Sequence, residues 1–290
     1  MFIGIDHGTS AMRFAGETGS FRMTREEARS FVIGDLGRIC PLDEIEGIAV
    51  CYSMGDNFST IRPLSRVRNR GVVSREGAGE HIGGGTRVFD EVLASGLPAI
   101  AIPGINRGSP TDPRFKAYSH QASPEKIGVA YEAVRELGDD VVVSDISSNT
   151  VSLLVKKGKL IGAIDACVFA PGMEHGAIDV DAIRQIDWSE ITANEAFMHA
   201  GLRHHMPPGE RARTLAMFAA MECAGLLLLS PGAKVALAGS CAGRVSDEVE
   251  RLLSREVRVF DEWCGARGLA RIAREVFSGA TEILGIGVED

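Results

Sequence analysis

Two short stretches of the chain carry the residue types that phosphate chemistry needs. Phe2-Ile3-Gly4-Ile5-Asp6-His7-Gly8-Thr9-Ser10 and Val141-Val142-Val143-Ser144-Asp145-Ile146-Ser147-Ser148-Asn149-Thr150 share one pattern. Each is an apolar strand that ends in an aspartate and runs into a turn of small, hydroxyl-bearing residues. Small side chains let backbone N–H groups approach an anion, and hydroxyls add further donors. An aspartate at the strand end is placed to hold magnesium through water. Gly8, Thr9 and Ser10 form the first turn; Ser147, Ser148, Asn149 and Thr150 form the second, which has no glycine. A third feature follows near the C-terminus. Val235 to Ala238 runs into Gly239-Ser240-Cys241-Ala242-Gly243, where bare backbone lets a planar base or a ribose pack. Taken singly, each is also what a polar-tipped hairpin or a glycine-ended strand looks like. Their order, acidic turn, acidic turn, strand-to-glycine, carries the argument.

The elements around these turns read as α/β. Ala11 to Ala15 returns as the hairpin partner of the first strand. Thr24 and Glu27 form a capping box for a helix running to about Arg38. Ile45 to Tyr52 reads as a buried strand, Thr86 as the cap of a helix ended by Gly96, and Ala99 to Ile102 as a strand. Asn106 to Gln121, with Pro110 and Pro113, reads as a long functional loop. Ser123 and Pro124 open a helix to about Gly138. Val141–Ser144, Thr150–Lys156 and Leu160–Ile164 make a meander with its tight turn at Lys157-Gly158. Helices dominate the remainder, including one capped by Thr192 and Glu195 and a long one from Pro208 to Leu229. A last strand spans Ile283 to Val288.

The chain has 290 residues, 45% of them apolar, and a net charge of −8. That is enough for two domains with ordinary cores. The acidic balance argues against nucleic acid as a partner. The longest apolar stretch, Leu215 to Leu229, is broken by Glu222 and too short for a membrane span. The six cysteines form no C-x-x-C pair and no signal segment opens the chain, so reduced thiols in a cytoplasm are expected. Arg62, Arg66, Arg68 and Arg70 suit an anion or, more simply, a solvated face. Gly83-Gly84-Gly85 suits an anion nest or a hinge. His199, His204 and His205 lack fixed helical spacing and read as solvated.

The ordered triplet resembles the actin-like ATPase superfamily of acetate and sugar kinases, seventy-kilodalton chaperones and actin. Gly4 to Ser10 is similar to its first phosphate motif, Asp145 to Thr150 to its second, and Gly239-Ser240, with Gly243, to its adenosine motif. The likeness is nearest to the acetate and butyrate kinases, which share a histidine before a helix (here His120). They also share a glycine-containing loop after the second hairpin, here Pro171-Gly172-Met173-Glu174-His175-Gly176. The whole chain also looks like the twelfth of the archaeal methanogenesis marker families, a name that specifies no reaction. The resemblance implies two ribonuclease H-like domains, 1–122 and 123–290, facing across a nucleotide cleft, with Asp6 and Asp145 converging on one pocket. It implies ATP and magnesium as cofactors, with Asp6 and Asp145 orienting the metal or a water. Thr9, Ser10, Ser148 and Thr150 would hold phosphate oxygens, and Gly8, Ser147, Asn149, Gly172, Gly239, Ser240 and Gly243 would line the nucleotide. Arg107, His120 or His175 would meet a small-molecule or protein acceptor or the developing charge. Asp56, in a glycine-containing turn after a strand, is a candidate base. A homodimer is a further expectation of the likeness. Several kinase features are missing: the post-hairpin arginine, the aspartate expected near Pro103 to Arg107, and the glycines of the second turn. Two readings therefore stand: a phosphotransferase or ATPase, and a non-catalytic nucleotide-binding or assembly module on the same fold.

Overall fold

The computed structural model describes residues 1–9, 11–51, 58–67 and 83–289. Ser10, Asp56, Arg68 and Arg70 lie outside the described residues. In chain order the strands are β1 (Phe2–His7), β2 (Ala11–Ala15), β3 (Ser20–Thr24), β4 (Gly47–Cys51), β5 (Arg62–Pro63), β6 (Ala99–Ile102), β7 (Ile105–Asn106), β8 (His120–Ala122), β9 (Val141–Ile146), β10 (Thr150–Lys156), β11 (Lys159–Asp165), β12 (Lys234–Ala238), β13 (Val257–Val259), β14 (Glu282–Ile283) and β15 (Ile286–Gly287). The helices are α1 (Gly84–Ser95), α2 (Glu125–Leu137), α3 (Val180–Asp187), α4 (Ala193–Met198), α5 (Leu202–His205), α6 (Pro208–Leu227), α7 (Ala242–Leu253) and α8 (Cys264–Phe277).

Two compact units result. The first comprises Met1–Glu136, Gly158–Leu160 and Trp263–Asp290; the second comprises Leu137–Lys157 and Ile161–Glu262. The division differs from a simple cut after residue 122. Helix α2 and the C-terminal α8 belong to the first unit. The reason is close backbone packing. A Cβ on Gly4 of β1 would lie 2.0 Å from the Ala266 carbonyl of α8, and one on Gly268 would lie 1.9 Å from the Gly128 carbonyl of α2. Glycine at these positions lets strand and helices touch main chain to main chain.

The sheet of the first unit runs β3-β2-β1-β4-β6-β5. Strands β1, β2 and β3 are antiparallel neighbours, while β1, β4 and β6 are parallel. The sheet of the second unit runs β11-β10-β9-β12-β13, with β9 antiparallel to β10 and parallel to β12. The same order thus recurs: a hairpin meander continued by parallel strands on the far side of its first strand. Its two central strands explain why both acidic motifs open on unbroken apolar runs. Ile3, Ile5, Val141, Val142 and Val143 are all buried, as strands covered on both faces require. In the first unit Phe14 stacks between Phe21 (4.5 Å) and Phe31 (5.3 Å). In the second, α6 packs across β9 and β10.

Several local expectations shift. The Thr24–Glu27 box forms, with Thr24 N–H donating to Glu27 Oε2 at 2.6 Å and Glu27 N–H to Thr24 Oγ1 at 3.2 Å. It opens two short 3-10 helices, Glu27–Ser30 and Ile33–Arg38, rather than one α-helix. Extended backbone at Phe31 and Val32 separates them, where Phe31 turns into the core. The stretch expected as a loop from Asn106 contains β7, a 3-10 turn at Pro113–Ala117 and β8. The final strand is instead a small hairpin of β14 and β15. The Thr192–Glu195 box caps α4 as expected. Lys157 and Gly158, with φ of 52° and 70°, make the β10–β11 turn. Arg62, from the basic cluster, pairs with Glu289 at 2.8 Å and lies over the Phe58 ring. Among the described residues no helix is long and apolar enough to cross a membrane.

Candidate functional site

In the first unit, β1 delivers Asp6 and His7 to the turn at Gly8, and the ladder sets Asp6 opposite Arg13 and His7 opposite Met12. Arg13 Nη1 stands 3.9 Å from Asp6 Oδ2, both side chains largely buried. A Cβ on Gly8 would lie 2.8 Å from the Ala11 carbonyl and 3.0 Å from Arg13 Nη1, so the turn closes on its own strand only with glycine. The first turn of α8 backs the carboxylate: a Cβ on Gly265 would lie 3.3 Å from Asp6 Oδ2. His7 Nε2 accepts a hydrogen bond from Arg25 Nη1 at 2.5 Å. Burial first, and then the Arg25 charge, push the His7 pKa down to about 3, so the imidazole is neutral at ordinary pH.

In the second unit, three motifs named from the sequence meet. Asp145 pairs in register with Ala238 of β12, at the carboxyl ends of parallel neighbours. That edge is where open α/β sheets take ligands. Gly239 follows with φ of 90°, and a Cβ there would lie 2.5 Å from both Asp145 Oδ1 and the Ile146 carbonyl. Cys241 N–H donates to that same Ile146 carbonyl at 2.9 Å. The Asp145 turn and the Gly239–Ser240 turn are therefore one contiguous surface. Ser147 Oγ donates to Asp145 Oδ1 at 3.2 Å. An added Cβ on Gly243 meets no atom outside its chain neighbours and its own helix backbone within 4 Å, so packing does not require glycine there.

The loop after β11 braces the second turn. Met173 N–H donates to the Ser147 carbonyl, and Glu174 and His175 N–H both donate to the Ser148 carbonyl, each at 3.0 Å. Thr150 Oγ1 donates to the Pro171 carbonyl at 2.9 Å, and a Cβ on Gly172 would lie 2.2 Å from the Ser148 carbonyl. The loop engages the Ser147 and Ser148 carbonyls, while Ser147 N–H donates to the Asn149 carbonyl at 2.7 Å within the turn. The Ser148 and Asn149 N–H groups have no backbone acceptor among the described residues. Loss of glycine from this turn is thus offset by a bracing loop whose own Gly172 permits the close approach.

The candidates for acceptor or charge chemistry are placed differently from expectation. His175 is buried, its Nδ1 against Asn149 Oδ1 and its Nε2 3.1 Å from Met198 Sδ, with the ring stacked on Phe197. Burial lowers its pKa. It holds the turn residue Asn149 and presents no free ring nitrogen to an acceptor. Arg107 donates from Nε to the Lys116 carbonyl at 3.0 Å and from Nη2 to that of Ala117 at 3.3 Å. His120 opens β8, paired across the β7–β8 ribbon with Asn106, and Arg107, just after β7, donates its N–H to the Ser119 carbonyl at 3.2 Å. Thr150 Oγ1 bonds the Pro171 carbonyl, bracing the turn rather than offering a free hydroxyl. His204 approaches Glu174 at 3.5 Å. Among the described residues no group of three or more His, Cys, Asp or Glu side chains is gathered to hold a metal ion. Magnesium needs no such cage, since one or two carboxylates, waters and substrate phosphates suffice. Asp6 and Asp145 supply hard oxygens of that kind.

Arg13, Arg25 and Glu222 are neighbours of the two turns and the bracing loop that motif reading misses. Glu222 is visible only as the acid that interrupts an apolar helix. In the fold its Oε1 accepts the Ala170 N–H at 3.2 Å, just ahead of the bracing loop. Burial, opposed by Ser152 and the Ala170 amide and reinforced by Asp165, pushes its pKa up to about 8. A carboxyl protonated in the fold but ionised in the unfolded chain binds more protons when folded. The Glu222 contribution to stability therefore falls as pH rises from about 4.5 to about 8 and levels off beyond, by at most about 5 kcal/mol. Glu222→Gln is expected to flatten that fall in denaturant midpoints measured from pH 5 to pH 8. An unchanged slope would count against a neutral Glu222.

The repeated sheet order and the acid-tipped turns define an actin-like ATPase fold, a class shared with solved kinases of low sequence identity. A propionate kinase from Francisella tularensis matches with TM-score 0.56 at 12% identity, over 94% of this chain and 98% of that one. A ROK family glucokinase from Streptomyces griseus, solved with glucose and AMPPNP, matches with TM-score 0.51 at 14% identity, over 94% and 99%. By sequence, the chain belongs to the UPF0285 family. A UPF0285 protein of Methanosarcina mazei is 44% identical over 99% of both chains. One from Methanothermobacter thermautotrophicus is 40% identical over 100% of this chain and 98% of its own. No protein-family model matches the chain.

Proposed function

We propose that this chain binds ATP with magnesium and acts as a phosphotransferase or ATPase on a small-molecule or protein acceptor. The observation that carries the reading is the union, within the second unit, of the Asp145 turn with Gly239–Ser240 at the carboxyl ends of β9 and β12. The Ser148 and Asn149 amides would serve phosphate, Asp145 would serve the cation, and the bare backbone at Gly239 would serve a ribose or base. The Asp6 turn repeats the acid and the small-residue loop. In this reading Asp6 and Asp145 orient magnesium. The amides of both turns, with Thr9 and Ser148, take phosphate oxygens. When bound, the ion would neutralise charge on the transferred phosphoryl group.

A second reading is favoured by a specific observation. His175 and Arg107, the groups expected to stabilise transfer, are both engaged by the protein itself. A binding or assembly module that retains the nucleotide without turning it over fits that engagement. Calorimetry with ATP and ADP, with and without magnesium, alongside phosphate release, separates the two. Binding with turnover supports the enzyme. Binding without turnover supports the module, and absence of binding removes both.

A further inference from the structure

We propose that Arg25, His7 and Gly85 form a positioning lock that holds the first phosphate turn in its binding conformation. The inference rests on the nucleotide reading above; it adds Arg25, which no motif names, and gives His7 and Gly85 a role different from those their motifs suggested. His7 is the last residue of β1 and directly precedes Gly8. A guanidinium has no acceptor, so in the 2.5 Å contact Arg25 Nη1 donates and His7 Nε2 accepts. The same guanidinium nitrogen lies 3.7 Å from Met12 Sδ, and Met12 is the ladder partner of His7 on the returning strand. Arg25 therefore grips both legs of the hairpin just below its turn.

The start of α1 closes the lock from the other side. A Cβ on Gly85 would lie 1.5 Å from His7 Nε2, 2.4 Å from Cδ2 and 2.6 Å from Cε1. The outer edge of the imidazole thus rests on helix backbone, where only glycine leaves room. Gly84 performs the same service for the other partner: its Cβ would lie 2.3 Å from the Arg25 carbonyl and 2.7 Å from Ala28 Cβ. Segments far apart in sequence, the end of β1, the residue after β3 and the start of α1, meet at one ring. Such convergence fixes the His7 ring, and with it the residue that leads into the turn. A turn whose amides must meet an anion gains affinity when it is ordered before binding.

The lock bears on the turn proposed for phosphates and includes none of the residues proposed for the base. Arg25→Ala is therefore expected to lower MgATP and MgADP affinity about tenfold while adenosine affinity stays at the wild-type value. Arg25→Lys, which restores a donor, recovers part of the loss. Gly85→Ala produces the same phosphate-selective loss, and Arg25→Ala serves if that variant does not fold. Calorimetry on the full chain, with adenosine followed by saturation-transfer NMR, reads each affinity. Equal losses for MgATP and adenosine would show a general structural effect and overturn the lock. So would unchanged MgATP affinity in Arg25→Ala and in folded Gly85→Ala. A wild-type chain that binds no MgATP would overturn the nucleotide reading, and the lock with it.

Discussion

Alanine at Asp6, and separately at Asp145, is expected to lower magnesium-dependent ATP turnover at least about 100-fold. Phosphoryl transfer asks the protein for position and charge stabilisation and for little covalent chemistry. A carboxylate that orients magnesium or the attacking water is therefore among the most costly groups to lose. Each aspartate stands at the carboxyl end of a central strand, Asp6 against Arg13 and Asp145 against the Gly239 turn. Neither side chain contributes apolar packing, but Asp6→Ala takes a carboxylate from the largely buried Arg13, so turnover is compared only for variants with a wild-type far-ultraviolet spectrum. Asparagine keeps the shape and removes the charge. Asp→Asn variants should therefore bind nucleotide without magnesium like the wild type, and lose the gain that magnesium brings. Steady-state phosphate release across a magnesium titration provides the measurement. Wild-type turnover in both alanine variants would remove the proposed mechanism.

Valine at Gly4 is expected to destabilise the first unit by about 3 kcal/mol or more. A Cβ there would lie 2.0 Å from the Ala266 carbonyl, 2.5 Å from the Ala270 nitrogen and 2.7 Å from Leu269 Cβ. Two of those atoms are helix backbone and cannot rotate away. To admit the side chain, α8 must lift off β1, losing the burial of Leu269 and the stacking of Phe277 on Phe2, which shares the α8 face of β1 with Gly4. The same shift would carry Gly265 away from the Asp6 carboxylate, two residues further along β1. Denaturant unfolding should show a lowered midpoint. Retained stability would mean that α8 does not sit against β1 at backbone distance.

How far the sequence discloses the site depends on how local each feature is. The two acid-tipped turns are legible because a strand, an aspartate and a tight turn are consecutive residues whose neighbours set their conformation. Gly239 is legible for the same reason, since a strand entering a turn with positive φ calls for glycine. The helix after Gly83 is less so. Thr86 reads as its cap, yet α1 begins at Gly84, because the first helical turn packs bare against His7 and Arg25. His175 reads as a catalytic group from its place in a loop, and its loop does meet the second turn. Burial against Phe197 and Met198, which come more than twenty residues later, turns the ring inward.

Residue order alone is sufficient for the α/β class, for the two strand-end aspartates and their small-residue turns, and for the glycine that follows β12. These depend on backbone preferences within a few neighbours. Residue order does not disclose that α2 and α8 complete the first unit, that Arg25 and Gly85 clasp His7, or that Glu222 lies behind the bracing loop. Those partners are chosen by which remote apolar faces exclude water together, a competition among all segments of the chain that no short stretch encodes.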